Sequence, residues 1–393
     1  MKQLVFSEIF NSFKFLFYFN LLSYILYKYL PGKMEPGCLT RSGFMPKFKN
    51  NSLLHAILFT FIFIYCSDIN TKTLGWYKIT IIWDLYPGCI TLLNIFGLVF
   101  CFLLYLKGLY FPSTRDSGSS NKGLIFDYYW GTELYPKILG IDIKHFINCR
   151  FSMTYWMVSC ISFFFKSVLI HSKIDYGLLG SCLLQYIYLF KFFYWEIGYM
   201  RSLDIIEDRA GFYETWGCLV WVPVIYTLSM RVTILSQSNL PFETSLALFI
   251  LGLIFIFLNF WSDQQRRIFR ESNGKNLILT KNPNYLKLTY NIYDDQGNIK
   301  DNKFNLFLTS GLWGFSRHSN YIFEILSAFS WTLLTNPYPL GNNSILSWFY
   351  PIYLIILLLH RSYRDEKKCL KKYGDEYLKY MQIVPYKIIP FIF

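Results

Sequence analysis

The chain has 393 residues, enough for two or three soluble domains, but its composition excludes a soluble protein. Hydrophobic residues make up 53% and charged residues only 16%, whereas soluble domains carry about a quarter charged residues. The formal net charge is +13, which a nucleic-acid-binding protein would also show. The composition therefore predicts a polytopic membrane protein, and the position of the basic residues decides whether nucleic acid is a partner.

Apolar runs of roughly the 20 residues that a membrane span requires recur along the chain. The first run has no signal-peptide cleavage pattern and carries Lys14 and Lys28, so we expect a span or an interfacial helix there. The run 78–106 contains Asp84 and Pro87, which favour a broken helix. We predict an all-α fold with nine or ten membrane helices, read at 11–30, 52–67, 78–106, 153–170, 177–199, 213–234, 244–261, 319–335 and 344–360.

Basic residues alternate across the last three predicted spans. Segments 235–243 and 336–343 contain no Lys or Arg, whereas 262–318 contains nine and 361–393 contains eight. Because basic loops stay on the cytoplasmic side, the 262–318 loop and the C-terminus are predicted to face the cytoplasm. Topology then accounts for the basic excess, and nucleic acid is excluded as a partner.

The 262–318 loop is too long to be a simple connector. Within it, Leu286–Tyr293 and Lys303–Thr309 flank a turn at Asp294–Asn298, a pattern typical of a β-hairpin. We expect a small cytoplasmic hairpin that either forms part of a soluble-cofactor site or is only structural.

No metal or disulfide site is indicated. The nine cysteines include no CxxC pair, and the five histidines include no HxxxH or HExxH motif. Two weak glycosylation sequons occur, at Asn50 and Asn342, and only the second lies in a predicted non-cytoplasmic loop.

Ionisable residues in apolar runs cost about 2.5–3.5 kcal/mol on insertion scales, so each is a functional candidate. The first cluster occupies 191–213. It is either a helix end with salt bridges or a set of acids at the mouth of a membrane-embedded cavity. Its charged members after Lys191 are Glu196, Arg201, Asp204, Glu207, Asp208 and Arg209.

The second cluster, 310–326, begins with Ser310-Gly311, which permits close backbone approach, and Trp313, which offers a flat stacking face. Membrane packing alone does not require its dense set of polar side chains, so a functional role is favoured. These are Arg317, His318, Asn320 and Tyr321, with Glu324 one helical turn further on.

The third cluster, 360–380, places Arg361, Arg364, Asp365 and Lys368 at helical spacing. It is either an amphipathic helix attracted to anionic lipid or part of a phosphate site. Paired arginines such as Arg266 and Arg270 suit bidentate phosphate binding. Since no GxGxxG or P-loop sequence is present, a nucleotide would not be held by either of those folds.

From the residues alone, three classes remain: an enzyme acting on a lipid-soluble substrate with a soluble reductant, a transporter, or a lipid-modifying transferase. A resemblance to a known family separates them. In order along the chain, the sequence resembles the sterol reductases at LLYLKG (103–108), KFFYWEIGY (191–199), DRAGFYETWGCLVWVP (208–223), QRRIFR (265–270), LTSGLWGFSRHSNY (308–321) and HRSYRDEKKCLKKYGDEY (360–377). It is most similar to the 7-dehydrocholesterol reductase branch.

The resemblance implies NADPH as cofactor, and an Arg for the 2′-phosphate agrees with NADPH rather than NADH. The implied cofactor contacts are Arg266, Arg270, Leu308, Trp313, Asn320, Tyr321, Asp365, Cys369, Lys372, Tyr373 and Tyr380. Proton donation requires an acid, and the candidates are Asp208, Asp204, Glu207, Tyr213, Tyr321 and Glu324.

The implied activity is reduction of a sterol ring double bond, the Δ7 bond of 7-dehydrocholesterol, in cholesterol-type sterol biosynthesis. The alternatives are a Δ14 or Δ24 reductase, a silent sterol-binding relative, or a membrane methyltransferase of the isoprenylcysteine type. The partners are a sterol and membrane lipid, and a eukaryotic chain is expected in the endoplasmic reticulum membrane. Four regions are predicted: N-terminal membrane helices (1–110), an amphipathic loop region (111–152), central helices forming much of the sterol pocket (153–261) and an NADPH-binding region (262–393).

Overall fold

The computed structural model describes residues 2–40, 42–69, 72–278, 280–293, 299–336 and 344–393. These residues form two compact units. The N-terminal unit comprises Met1–Ser245 and Leu334–Phe349, and the C-terminal unit comprises Leu246–Leu333 and Tyr350–Phe393.

The predicted class, a helical polytopic membrane protein with a small hairpin, is confirmed. The described helices that are long and apolar enough to cross a membrane number five, and the total of nine or ten spans stays a prediction. The five are Ser7–Tyr29, Tyr86–Tyr110, Ile143–His171, Phe242–Glu271 and Ile345–Tyr373.

The N-terminal unit is a helical bundle with two short hairpins, each of two antiparallel strands. Two of its helical segments are π-helical, a rare form that recurs at functional sites. The π-helices are Phe146–Ser152 and Phe212–Tyr226. The strands are β1 (Lys33–Pro36), β2 (Lys47–Asn50), β3 (Lys137–Ile138) and β4 (Ile141–Asp142). The α-helices are α1 (Lys2–Tyr29), α2 (Ser52–Tyr65), α3 (Ile81–Asp84), α4 (Tyr86–Tyr110), α5 (Leu124–Trp130), α6 (Ile143–His145), α7 (Met153–His171), α8 (Tyr176–Tyr194), α9 (Glu196–Tyr199), α10 (Leu203–Glu207) and α11 (Leu228–Thr233).

The C-terminal unit is built from long helices and the predicted hairpin. Its helices are α12 (Phe242–Glu271), α13 (Ser319–Thr335), α14 (Ser344–Tyr373) and α15 (Asp375–Ile383), with a 3₁₀ turn at Gly311–Gly314. Both α12 and α14 begin in the N-terminal unit, and α13 ends there.

The hairpin predicted in the 262–318 loop is confirmed. Strands β5 (Tyr285–Tyr293) and β6 (Ile299–Leu308) pair antiparallel, with Tyr285 opposite Leu308. The predicted turn at 294–298 lies outside the described residues, as does Asn342. Leu288 of β5 is 1% exposed and packs with Tyr373, Tyr377, Tyr380 and Val384. The hairpin is therefore held by the end of α14 and by α15.

The core of the N-terminal unit contains a fully buried ion pair. Both carboxylate oxygens of Glu196 accept hydrogen bonds from the Arg150 guanidinium, one from Nη2 at 2.9 Å. Glu196 Oε1 also lies 2.6 Å from Nε2 of His145, and Arg150 Nη2 donates to Asn51 at 3.1 Å. The Ser23 hydroxyl donates to the Arg150 carbonyl at 2.7 Å. The pair thus joins α1, the start of α2, the first π-helix and α9.

We expect Glu196→Gln to destabilise the protein by about 3–5 kcal/mol, because it leaves a buried guanidinium without its counter-charge. The measurement is equilibrium unfolding of the purified protein in detergent. The matched control is Glu271→Gln, which breaks the Arg267–Glu271 pair, 51% and 60% exposed, and should cost no more than about 1 kcal/mol. Equal losses in the two variants would contradict the structural role of Glu196.

Candidate functional site

The arginine pair of α12 faces the end of α14. Arg266 and Arg270 are four residues apart, so both lie on one helix face. Both guanidinium groups interact electrostatically with Asp365. Arg270 also interacts with Tyr373 and with Tyr380 of α15. Five of the predicted cofactor residues therefore lie together in the C-terminal unit, and two of them are cations that face the Asp365 carboxylate.

Trp313 and Leu308 lie behind this arginine pair. Trp313 is 3% exposed, and its indole N–H donates to the Ser262 carbonyl at 2.8 Å. The Arg266 guanidinium lies 4.2 Å from the indole centroid, a cation–π contact. Leu308, 4% exposed, packs with Trp313 and Phe269. The sequence predicts that the indole offers a free stacking face. In the structure Arg266 packs on one face of the indole, and this contact fixes the position of the guanidinium.

The start of α13 lies beside the arginine pair and carries Asn320 and Tyr321. The Asn320 amide donates to Asp263 at 3.1 Å, and Asp263 lies 3.8 Å from Arg266. Tyr321 interacts with Asp365 and Arg266, and its ring stacks on His318 with centroids 4.9 Å apart. These contacts place the predicted Asn-Tyr pair against the arginines.

Three residues at the end of α14 link the arginine pair to the hairpin: Cys369, Lys372 and Tyr373. The Lys372 ammonium lies 3.7 Å from the ring centroid of Tyr290 in β5. The Tyr373 hydroxyl accepts a hydrogen bond from Asn305 of β6, and Cys369 packs beside it. The hairpin therefore contacts part of the predicted cofactor set.

Three buried polar atoms near Arg266 have no hydrogen-bond partner among the residues that the structure describes. They are Nε2 of His318, Oδ1 of Asn320 and Nε2 of Gln265. An unsatisfied buried polar atom costs about 1–3 kcal/mol, so such atoms indicate a ligand or an ordered water. The cations suit a phosphate group, and the neutral donors and acceptors suit other polar groups of a ligand. The residues present therefore fit a phosphorylated nucleotide.

Arg317, a candidate donor in the sequence, has a structural role instead. Its guanidinium donates to Glu366 at 2.7 and 2.9 Å and to the carbonyls of Val384 and Pro385. Lys387 pairs with the other oxygen of Glu366 at 2.8 Å. This network fastens the C-terminal segment to α14.

The predicted acids are divided between the two units. Asp204 and Glu207 lie half-buried on α10, and Asp208, at the end of that helix, is fully buried. A close backbone approach positions this segment, because a Cβ on Gly211 would clash with the backbone nitrogen of Gly131. Tyr321 and Glu324, by contrast, lie on α13 of the C-terminal unit, where Glu324 interacts with Tyr321.

Glu196, also in the first predicted cluster, is committed to Arg150 and His145, so its structural interpretation is the better one. His145, Cys149 and Glu196 place ligand-type atoms within 4.8 Å of one another. A metal ion there would lie against the Arg150 guanidinium, which disfavours cation binding.

Two buried ionisable residues near Asp208 were not singled out from the sequence. Lys144 is fully buried and donates to the backbone carbonyls of Ile205 at 2.8 Å and of Asp208 at 2.6 Å. Glu214, 8% exposed, accepts hydrogen bonds from Asn148 and Thr215, both at 3.2 Å. The signal for Glu214 was available, because it is an ionisable residue inside an apolar run.

Burial, together with the charges of Arg266, Arg317 and Lys387, lowers the pKa of His318 to about 3. The unfolded chain, with a histidine pKa of about 6.5, binds the proton first as the pH falls, so stability is complete above pH ~6.5 and is lost below it. Between pH 7.5 and 5.0 this group should cost the folded state about 2 kcal/mol.

His318→Gln should abolish that part of the pH dependence, measured by denaturant unfolding in detergent at the two pH values. The exposed His360 provides the matched control, since His360→Gln should leave the difference unchanged. An identical pH dependence in the wild type and His318→Gln would show that His318 is not held neutral by burial.

Comparison with known proteins identifies the chain's family. The model of the ergosterol biosynthesis ERG4/ERG24 family matches residues 1–393. A 7-dehydrocholesterol reductase of Arabidopsis thaliana is 40% identical over 391 residues, covering 97% of this chain and 85% of the relative. A Delta(14)-sterol reductase of Methylotuvimicrobium alcaliphilum is 32% identical, covering 86% and 74%. A 7-dehydrocholesterol reductase of Danio rerio is 29% identical, covering 94% and 75%. The chain belongs to the ERG4/ERG24 family of sterol reductases.

Proposed function

We propose that the chain is an NADPH-dependent sterol reductase that reduces the Δ7 double bond of 7-dehydrocholesterol to a Δ5 sterol. The observation that carries the proposal is the set of three cations, Arg266, Arg270 and Lys368, around the carboxylates of Asp365 and Asp263. The excess positive charge suits a phosphate, and the unpartnered atoms of Gln265, His318 and Asn320 beside it suit a polar ligand. The names of the plant and fish relatives support the ring position.

The reaction has two parts. Protonation of carbon 8 of the 5,7-diene gives an allylic cation over carbons 5 to 7, and the hydride that bound NADPH supplies is added at carbon 7. In this scheme 262–393 binds the cofactor and 153–261 forms much of the sterol pocket. The protein's own task is to hold an acid protonated in low dielectric and to exclude water. The candidate acids remain Asp204, Glu207, Asp208, Tyr213, Tyr321 and Glu324.

A Δ14 reductase is the second candidate, supported by the name of the bacterial relative. A Δ24 reductase and a silent sterol-binding protein are further alternatives. In a eukaryotic cell, we place the protein in the endoplasmic reticulum membrane with its C-terminus in the cytoplasm.

The first experiment expresses the chain in membranes that lack endogenous sterol reductases. With NADPH and 7-dehydrocholesterol, we expect loss of the conjugated-diene absorbance and a Δ5 product by mass spectrometry. Reduction of only a 14- or 24-unsaturated sterol would reassign the double bond. No reduction of any of the three would leave the sterol-binding alternative.

Arg270→Ala should raise the KM for NADPH by about tenfold to 100-fold, since a hydrogen bond to a charged group contributes about 1.5–3 kcal/mol. The KM for NADH, which lacks the 2′-phosphate, should change less. Arg266→Ala should have a similar effect and also expose Trp313.

Arg267→Ala is the matched control, because Arg267 lies on the same helix but is exposed and paired with Glu271. Steady-state kinetics with both cofactors measures the effect. If Arg267→Ala and Arg270→Ala impair NADPH use equally, the arginine pair is not the phosphate site.

A further inference from the structure

A polar cavity opens at one end of the helical bundle in the N-terminal unit. Its volume is about 590 Å³, within the roughly 300–1,000 Å³ that is typical of ligand pockets. Every residue that lines it belongs to the N-terminal unit, and none belongs to the candidate cofactor site. Its polar lining residues are Asn11, Asp68, Lys78, Thr80, Asp84 and Lys166, and we call it the Lys78 cavity.

The Lys78 cavity lies where three candidate membrane spans end. Asn11 lies one turn after the start of the first span, Leu85 directly precedes α4, and Lys166 lies in the last two turns of α7. The ends of membrane spans lie at the boundary between the hydrocarbon core and the lipid headgroups. The loop that carries Lys78 also presents Trp76, which is 74% exposed, and tryptophan is enriched at that boundary. The cavity is therefore placed at the level of the headgroups.

The walls of the Lys78 cavity are joined by bonds between separate segments. The Ser12 hydroxyl of α1 donates to the Leu85 carbonyl at 3.4 Å. The Lys166 ammonium of α7 pairs with Asp84 at 2.7 Å, and the Thr80 hydroxyl donates to the other Asp84 oxygen at 2.6 Å. Because these contacts connect α1, α3, α4 and α7, the cavity has its shape before any ligand binds.

Two further charged side chains of the cavity lie on adjoining segments. The backbone N–H of Asp68 donates to the Tyr77 carbonyl at 2.9 Å, and its carboxylate oxygen Oδ1 accepts the Ile79 N–H at 2.9 Å. These two bonds hold Asp68 beside the segment that carries Lys78. Both side chains are exposed, and the Lys78 ammonium forms no ion pair within the part of the chain that the structure describes. The cavity therefore presents one cation and one carboxylate to a ligand.

The chemistry of the lining selects the kind of ligand. A lysine ammonium binds phosphate as a point charge, and a carboxylate accepts hydrogen bonds from an ammonium group. Two lysines and two aspartates make the lining neutral overall, which favours a zwitterion over an anion. The side chains of Leu85 and Leu169 add apolar surface for the adjoining part of the ligand. A phosphate linked to an amine, attached to an apolar group, satisfies each of these conditions.

We propose that the Lys78 cavity binds the headgroup of phosphatidylethanolamine, with the phosphate at Lys78 and the ammonium at Asp68. The position at the ends of the spans favours a membrane lipid over a soluble molecule with the same headgroup. A primary ammonium donates hydrogen bonds to Asp68, whereas the trimethylammonium group of choline has no N–H to donate. This site is separate from sterol reduction and does not depend on it.

Native mass spectrometry of the purified full chain in detergent tests the proposal. Dioleoyl-phosphatidylethanolamine and dioleoyl-phosphatidylglycerol are titrated separately, and the wild type should bind the ethanolamine lipid more tightly. Lys78→Ala should raise the Kd for that lipid by about tenfold, because it removes a hydrogen bond between charged groups. Asp68→Asn keeps an acceptor for the Ile79 N–H but loses the charge, so the preference for ethanolamine should disappear.

The matched control is Lys173→Ala, which removes an exposed lysine just beyond the end of α7 that does not line the cavity. It should leave the Kd unchanged, and a loss equal to that of Lys78→Ala would overturn the proposal. Equal affinity of the wild type for the two lipids would overturn the zwitterionic ligand. The soluble glycerophosphoethanolamine should bind much more weakly than the lipid. Equal affinity for both would overturn the assignment to a membrane lipid.

Discussion

The buried pair of Arg150 and Glu196 is the interaction on which the N-terminal unit depends. Removing two full charges from water is costly, and the cost is offset only when geometry is good and the remaining polar atoms are bonded. Asn51 and His145 provide such bonds, and the Ser23 hydroxyl binds the backbone carbonyl of Arg150. Arg150 Nε is buried without a partner among the described residues. Because each partner comes from a different part of the chain, any shift of one helix would leave a charge unpaired, so the pair fixes the alignment of the surrounding helices.

The C-terminal unit also contains buried charges that are paired with one another. Arg317, Glu366 and Lys387 satisfy one another and anchor the end of the chain. Once these charges are paired, Arg266, Arg270 and Lys368 remain around Asp365 and Asp263, with three positive charges against two negative charges.

The outcome of the sequence predictions depended on the range of the contacts involved. The hairpin was predictable, because apolar and polar residues alternate along β5 and β6 and the two strands are close in the chain. The clustering of α12 with the end of α14 followed from the family resemblance. The role of Trp313 was harder to predict from the sequence, since an indole in a polar motif can either stack on a ligand or pack against an arginine. Glu214 was not predicted, although an ionisable residue in an apolar run is visible in the sequence. The segment before it is more densely charged and carried the stronger signal.

By itself, the sequence determined the membrane class, the family and the segments that contain the candidate cofactor residues, because composition and ordered motifs are local properties of the chain. Only the tertiary structure decided which charges are neutralised and which remain available. Arg150 meets Glu196 from 46 residues away and Arg317 meets Glu366 from 49 residues away. In a low-dielectric interior a charge is structural when it is paired and a site candidate when it is not, and pairing over such separations is a property of the folded chain alone.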